Sequence, residues 1–136
     1  MAFTPYLFFS GDCAAAFRRY HEVFGGTLDV TTHEDLPPGA EMPGAQPHHV
    51  MHATLTLPEG AQLYGSDDPT GDGGPKTGLA VTYTAPDAAT ARAAFDALTD
   101  GGTVDMEFEA TFWSAGFGGV TDRYSVPWLI DTAAEA

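Results

Sequence analysis

The sequence predicts an α+β fold: two copies of a βαβββ module whose strands form a curved mixed sheet around a cleft. Three observations predict it. The phrase GGTLDV at Gly25–Val30 returns as GGTVDM at Gly101–Met106, with four of six residues identical. Before each phrase lies an Asp-led segment with helical spacing of apolar residues. Around each helix and phrase lie short runs with strand character. A chain of 136 residues is most simply one domain, 1–136, with internal modules at about 1–68 and 77–136.

The elements follow in order. Tyr6–Phe9 (YLFF) reads as the first strand. Asp12 is placed to cap a helix, because a carboxylate there accepts from the orphan N–H groups of the first turn. Ala16, Phe17, Tyr20, Val23 and Phe24 supply the apolar stripe. Gly25 stops the helix, since glycine takes the left-handed conformation at little cost. Thr27–Val30 starts a strand. In Val50–Leu57, the alternation places Met51, Ala53, Leu55 and Leu57 on one face, with Val50, His52, Thr54 and Thr56 on the other. Ala61–Ser66 pairs with it across the turn Pro58-Glu59-Gly60.

The second copy repeats the scheme. Leu79–Tyr83 is its first strand, Asp87 the cap, and Ala91, Ala94, Phe95 and Leu98 the buried stripe. Gly101 stops the helix. Val104, Met106 and Phe108 share one face of the next strand, and Phe117–Thr121 and Pro127–Asp131 complete the set. Leu36–Pro47, with four prolines and two glycines, reads as a mobile loop, and Asp67–Lys76 as the linker between halves. One sheet and one helix cannot cover both faces of the sheet. The helices cover one face, and the uncovered faces imply a cleft.

Composition excludes several functions. Nineteen acidic and five basic residues give a formal charge of −14. That is the opposite of a phosphate-binding footprint, so nucleic acid and anionic membrane surfaces are not expected partners. The acidity fits either adaptation to salt or attraction of cations. No apolar run approaches the roughly 18 residues of a membrane span. The opening MAFTPYLFFSGD lacks a basic segment followed by a cleavage site, so a cytoplasmic location is expected. Cys13 is the single cysteine and reads as a small buried residue at a helix start. A reactive thiol is the alternative.

The tail, Thr111–Ile130 (TFWSAGFGGVTDRYSVPWLI), and the opening Pro5-Tyr-Leu-Phe-Phe-Ser-Gly-Asp…Tyr20-His-Glu-Val-Phe-Gly25 carry a family resemblance. With His52 in VMHATL and Ser66-Asp67, they resemble the PhnB-like branch of the vicinal oxygen chelate superfamily. That superfamily includes glyoxalase I, extradiol dioxygenases and bleomycin resistance proteins. The resemblance spans essentially the whole chain. It implies the glyoxalase/bleomycin resistance fold and a homodimer. Ser114 and Ser125 stand where the branch usually has glycine, and Gly116 replaces a commonly basic residue, which argues against an anion-binding role for that loop.

The resemblance also sets a test for metal. Superfamily enzymes hold a divalent ion with His, Gln or Glu on inner strands, and the ion stabilises developing negative charge on the substrate. The corresponding positions here are Pro5, the neighbourhood of Leu63, Gly78 and Leu129, and none carries a donor. Elsewhere, His48 and His52 on a strand would be about 13 Å apart, too far for one ion. His33-Glu34-Asp35 reads as a solvated turn. No bound metal is expected. Phosphate-binding and dinucleotide-binding glycine patterns are missing, so no cofactor is expected and a methyltransferase is rejected.

The expected cleft lining is Phe8, Tyr64, Phe112, Trp113, Phe117 and Trp128, with His52, Asp67 and Asp122 as polar groups. His52 is the catalytic candidate, as a general acid or base. The alternative is a histidine bonded to a neighbouring strand or to the dimer partner. Asp122-Arg123 reads more as a turn with an internal ion pair or cap than as a catalytic dyad, and the tryptophans as core or interface residues. The function expected is a PhnB-like glyoxalase-fold protein of unknown substrate: a metal-free homodimer that binds a small molecule. The alternatives are a glyoxalase-type lyase or isomerase, and a resistance protein that sequesters a cationic drug.

Overall fold

The chain runs β1 (Tyr6–Phe9), α1 (Cys13–Phe24), β2 (Thr27–Thr32), β3 (Val50–Thr56), β4 (Gln62–Asp67), then β5 (Val81–Ala85), α2 (Ala88–Thr99), β6 (Thr103–Glu109), β7 (Phe117–Thr121) and β8 (Pro127–Thr132). The computed structural model describes residues 1–37, 46–71 and 76–132. It divides into two units, Met1–Gly73 and Gly74–Ala136. Each unit is a βαβββ module, so the fold is α+β with internal duplication. The expected loop over Leu36–Pro47 and linker over Asp67–Lys76 lie partly outside the described residues.

The sheets share one topology. The first has the order β1-β4-β3-β2 and the second β5-β8-β7-β6. In each, the opening strand pairs parallel with the last, and the remaining pairs are antiparallel. A parallel pair needs a crossover, and the helix of each module is part of it.

The helix buries one face of each sheet. In the first unit Ala16, Phe17 and Tyr20 of α1 are fully buried, with Leu7, Phe9, Ala53 and Leu55 of the sheet. Phe17 lies edge-on to Phe9 and to Tyr20, at 6.2 and 5.7 Å between centroids. Gly65 backs onto the same ring: any Cβ there would collide with Phe17. In the second unit Ala91, Ala94, Phe95 and Leu98 of α2 are buried with Val120, Trp128 and Ile130.

The repeated Gly-Gly-Thr has a separate reason at each glycine. Gly25 and Gly101 follow their helices at φ 76° and 77°, the left-handed region. Gly26 and Gly102 press on a neighbouring strand. A Cβ at Gly26 would strike the carbonyl of Thr56, and one at Gly102 the carbonyl of Thr121.

Three expectations need correction. Met51 is exposed and Val50 buried, the reverse of strict alternation. The register jumps from Thr31↔His52 to Thr32↔Val50, and this skip turns Val50 back under the helix. Met106 is likewise 52% exposed, because β6 carries register shifts on both sides of it. Asp12 makes no side-chain bond to the first turn of α1, whereas Asp87 accepts from the Thr90 N–H at 2.7 Å. Asp67 does that work for α1 from the end of β4. Its Oδ1 accepts from the N–H groups of Gly11 and Cys13, and its Oδ2 from Val50.

Candidate functional site

Strand parity places the site. Leu7, Leu63, Gly65 and Ala53 face α1 in the first unit. Their neighbours Tyr6, Phe8, Gln62, Tyr64, His52, Thr54 and Thr56 therefore share the open face. The register aligns Tyr6 with Tyr64 and Tyr64 with Thr54 across three strands.

His52 sits at the centre of this face. Its Nδ1 is hydrogen-bonded to the Tyr6 hydroxyl at 3.3 Å and its Nε2 to the Thr54 hydroxyl at 3.0 Å. A neutral imidazole donates from one nitrogen and accepts at the other, so the ring links two hydroxyls in a single relay. Tyr64 lies edge-on to His52 at 5.1 Å between centroids, and Tyr6 is 5.7 Å away. A second chain of bonds runs alongside: the Tyr64 hydroxyl donates to Gln62 Oε1, and Gln62 Nε2 donates to Thr56 Oγ1. Phe8, 58% exposed, stacks at a tilt 4.9 Å from Tyr6. The result is an aromatic surface with hydroxyl, amide and imidazole groups set into it. Such a mixture of ring area and a few placed polar groups suits a small organic ligand.

The other expected lining residues lie elsewhere. Asp67 is on the α1 side of β4, buried among backbone donors. Asp122 is buried in the turn between β7 and β8, where it accepts from the N–H groups of Tyr124 and Val126 and from the Trp128 indole. Trp128 shares the α2-facing parity of Ile130 and is buried. Phe112, Trp113 and Phe117 belong to the second unit, in and beside the β6–β7 connection. Thr111 and Ser114 hold that connection: the Thr111 hydroxyl accepts from Trp113 and Ser114 N–H, and the Ser114 hydroxyl donates to the carbonyl of Gly116. Of the nine candidates, His52, Phe8 and Tyr64 come together on the open face of the first sheet. Tyr6, Thr54 and Gln62 join them. Tyr6 is two residues before Phe8 and Thr54 two after His52, so period-2 parity is the signal that finds both.

The donor set does not fit a divalent ion. Among the described residues no group of three or more His, Cys, Asp and Glu side chains comes together. The open face of β1 and β4 offers Tyr6 and Tyr64, next to the positions Pro5 and Leu63 where the resemblance placed ligands. Leu63 itself is buried on the α1 side. His33-Glu34-Asp35 forms a 3₁₀ turn closed by Asp35, which accepts from the Thr32 N–H and hydroxyl. These bonds hold the Asp35 carboxyl below its ordinary range. No helix among the described residues is long and apolar enough to cross a membrane.

Comparison with known proteins extends the picture. Protein YjdN of Escherichia coli (strain K12) is 26% identical over 147 residues, covering 99% of this chain and 97% of that protein. The crystal structure of protein PA1353 from Pseudomonas aeruginosa superimposes with a TM-score of 0.85 at 34% identity, covering 97% of each chain. A putative 3-demethylubiquinone-9 3-methyltransferase, PhnB protein, from Bacillus cereus matches with a TM-score of 0.77 at 23% identity, covering 98% of this chain and all of that one. The sequence pattern of the Glyoxalase/Bleomycin resistance protein/Dioxygenase superfamily matches residues 2–130, and the chain belongs to that superfamily.

Proposed function

We propose that this protein is a metal-free, small-molecule-binding homodimer of the PhnB-like kind, and that its ligand lies against the open face of the first sheet around His52. The observation that carries the reading is the hydrogen-bonded row Tyr6–His52–Thr54, set among the rings of Phe8 and Tyr64. Open sheet faces exposed to water are normally lined with solvated polar groups; this one spends three aromatic rings and a histidine there. The face suits an uncharged or weakly polar ring-bearing ligand with hydroxyl or carbonyl groups.

A second reading, a lyase or isomerase of glyoxalase type, rests on the same ring. Both His52 nitrogens meet hydroxyls, so a proton leaving Tyr6 or Thr54 has an acceptor within hydrogen-bond reach. The methyltransferase name of the Bacillus cereus protein is not carried over, because this sequence has no glycine-rich cofactor loop.

A thermal-shift screen of neutral ring-bearing metabolites tests the proposal. A ligand at 100 times its Kd adds about 2.7 kcal/mol of stability. The shift is expected in the parent protein and lost in His52→Ala and Tyr6→Phe. Equal shifts in all three would overturn the site. Product formation that stops in His52→Ala would favour the second reading over simple binding. Sedimentation at micromolar concentration tests the homodimer, and a monomeric mass would reject it.

A further inference from the structure

The open face of the second sheet carries a different signal, which does not depend on the site around His52. Asp131 of β8 lies opposite Phe117 of β7 in the register, and Phe117 lies opposite Glu109 of β6. Thr84 of β5 completes the row on the other side of Asp131. Ile130 and Thr132 are buried on the α2 side, so Asp131 has the opposite parity, shared with Leu129. Apolar groups share this face: a Cβ on Gly119 would meet Leu129 and Met106 at ordinary contact distances.

Asp131 Oδ1 is shielded from solvent and has no hydrogen-bond partner among the described residues. A shielded carboxylate oxygen without a donor is costly, because it has lost water and gained nothing in exchange. Both arginines of this unit are engaged elsewhere. Arg92 pairs with Asp96 at 3.2 Å and stands over the rings of Phe95 and Phe108 on the α2 side. Arg123 pairs with Asp100 at 3.0 Å.

Aromatic surface lies beside the carboxylate. The Phe117 ring is 5.7 Å from Trp113, and Trp113 is 4.7 Å from Phe112. Trp113 is 53% and Phe112 94% exposed, although the turn that carries them is held by the Thr111 and Ser114 hydrogen bonds. The rings are therefore presented to solvent by an ordered connection.

We propose that Asp131, Phe117 and Trp113 form a subsite for a small organic cation, an alkylated or primary ammonium group. The carboxylate supplies the counter-charge and the ring faces supply cation–π attraction, which favours ammonium over neutral groups. Glu109 adds negative potential from the same row. A bare metal ion fits this place poorly: among the described residues no three His, Cys, Asp or Glu side chains come together, and Ca²⁺ takes six to eight oxygen ligands. The net charge of −14 draws cations of any kind toward the surface, and the rings select the organic ones.

Tetramethylammonium chloride is the probe, with sodium chloride at equal ionic strength as the control, read on the two indole N–H resonances. Trp113 is expected to shift saturably with tetramethylammonium alone. Trp128, buried and bonded to Asp122, is expected to stay still. Asp131→Asn, with fold checked by resonance dispersion, should raise the dissociation constant about tenfold or more, the worth of losing one charged partner. Phe117→Leu removes a ring without touching the carboxylate and should also weaken binding. His52→Ala should bind as the parent does. Equal shifts with sodium, an unchanged constant in Asp131→Asn, or loss of binding in His52→Ala would each overturn the proposal.

Discussion

The Trp128 indole N–H donates to Asp122 Oδ2 at 2.9 Å, and the same carboxylate accepts from the backbone of Tyr124 and Val126 through Oδ1. One buried side chain thus organises a turn, the start of β8 and the buried tryptophan of its unit. Asp122→Ala would leave buried donors without acceptors, each costing about 1–3 kcal/mol. Chemical denaturation should show a loss of about 3 kcal/mol or more. Trp128→Phe removes a single donor and ring area, and should cost less than Asp122→Ala. A loss below 1 kcal/mol in Asp122→Ala would show that water replaces the carboxylate.

Asp67 and Asp12 divide a role that sequence reading gives wholly to Asp12. Asp67 accepts from Gly11, Cys13 and Val50, while Asp12 makes no side-chain bond to α1. Asp67→Ala should therefore destabilise by about 2–4 kcal/mol. Asp12→Ala should stay within the roughly 0.5 kcal/mol typical of surface changes. Urea midpoints of the two variants decide it, and a larger effect at Asp12 would reverse the assignment.

Gly26 and Gly102 should reject alanine for the same reason, because each Cβ would meet a backbone carbonyl that the sheet holds in place. Relief requires a strand to shift, at a cost of about 2 kcal/mol or more. Gly60 is the contrast: its φ is 104°, yet nothing lies within 4 Å of a Cβ there. Gly60→Ala should cost only backbone strain, about 1–2 kcal/mol. Equal melting points for Gly26→Ala and the parent protein would show that the strand gives way.

The duplicated fold is legible in the sequence because each local signal has its own cause. The glycine pairs mark two helix ends, and the spacing of Phe17–Tyr20 and Ala91–Phe95–Leu98 marks two buried stripes. Alternation in β3 places His52, Thr54 and Thr56 together, and they do share a face. It misplaces Met51 and Met106, because a register skip changes parity without any change in hydrophobicity. The turn-cap reading of Asp122 holds, whereas the destination of Asp67 is hidden: an acidic residue at a strand end reads the same whether it meets solvent or a set of backbone donors. Asp131 escapes notice for the opposite reason. Its alternation with Ile130 and Thr132 is visible in PWLIDT, but its missing partner emerges only when the neighbouring strands are in place.

Acid should weaken the second helix through Asp87. Its carboxylate accepts from the Thr90 N–H, and this bond, with help from the Thr90 hydroxyl, lowers its pKa below the ordinary 3.8. A lowered folded pKa means that the ionised carboxylate stabilises the native state. That contribution is full well above pH 3.8 and fades as pH falls through the folded value. Asp87→Ala should lower the melting temperature near neutrality, and the gap should close in acid. A gap that stays constant from pH 7 to the acid limit would remove the cap from the account.

Ser125 is the one described non-glycine residue with positive φ, at 67°. It sits in the turn where its N–H donates to the carbonyl of Asp122 and its own carbonyl accepts from Lys76. A side chain in the left-handed region costs about 1–2 kcal/mol, because Cβ crowds the carbonyl. Ser125→Gly removes that crowding and also adds entropy to the unfolded chain, which offsets part of the gain. The balance should be a stabilisation of about 0.5–1 kcal/mol, read from the denaturation midpoint. The Asp122 network should be untouched, because the substitution leaves every backbone donor in place. If the variant is less stable than the parent, the serine hydroxyl contributes more to the turn than the strain takes away.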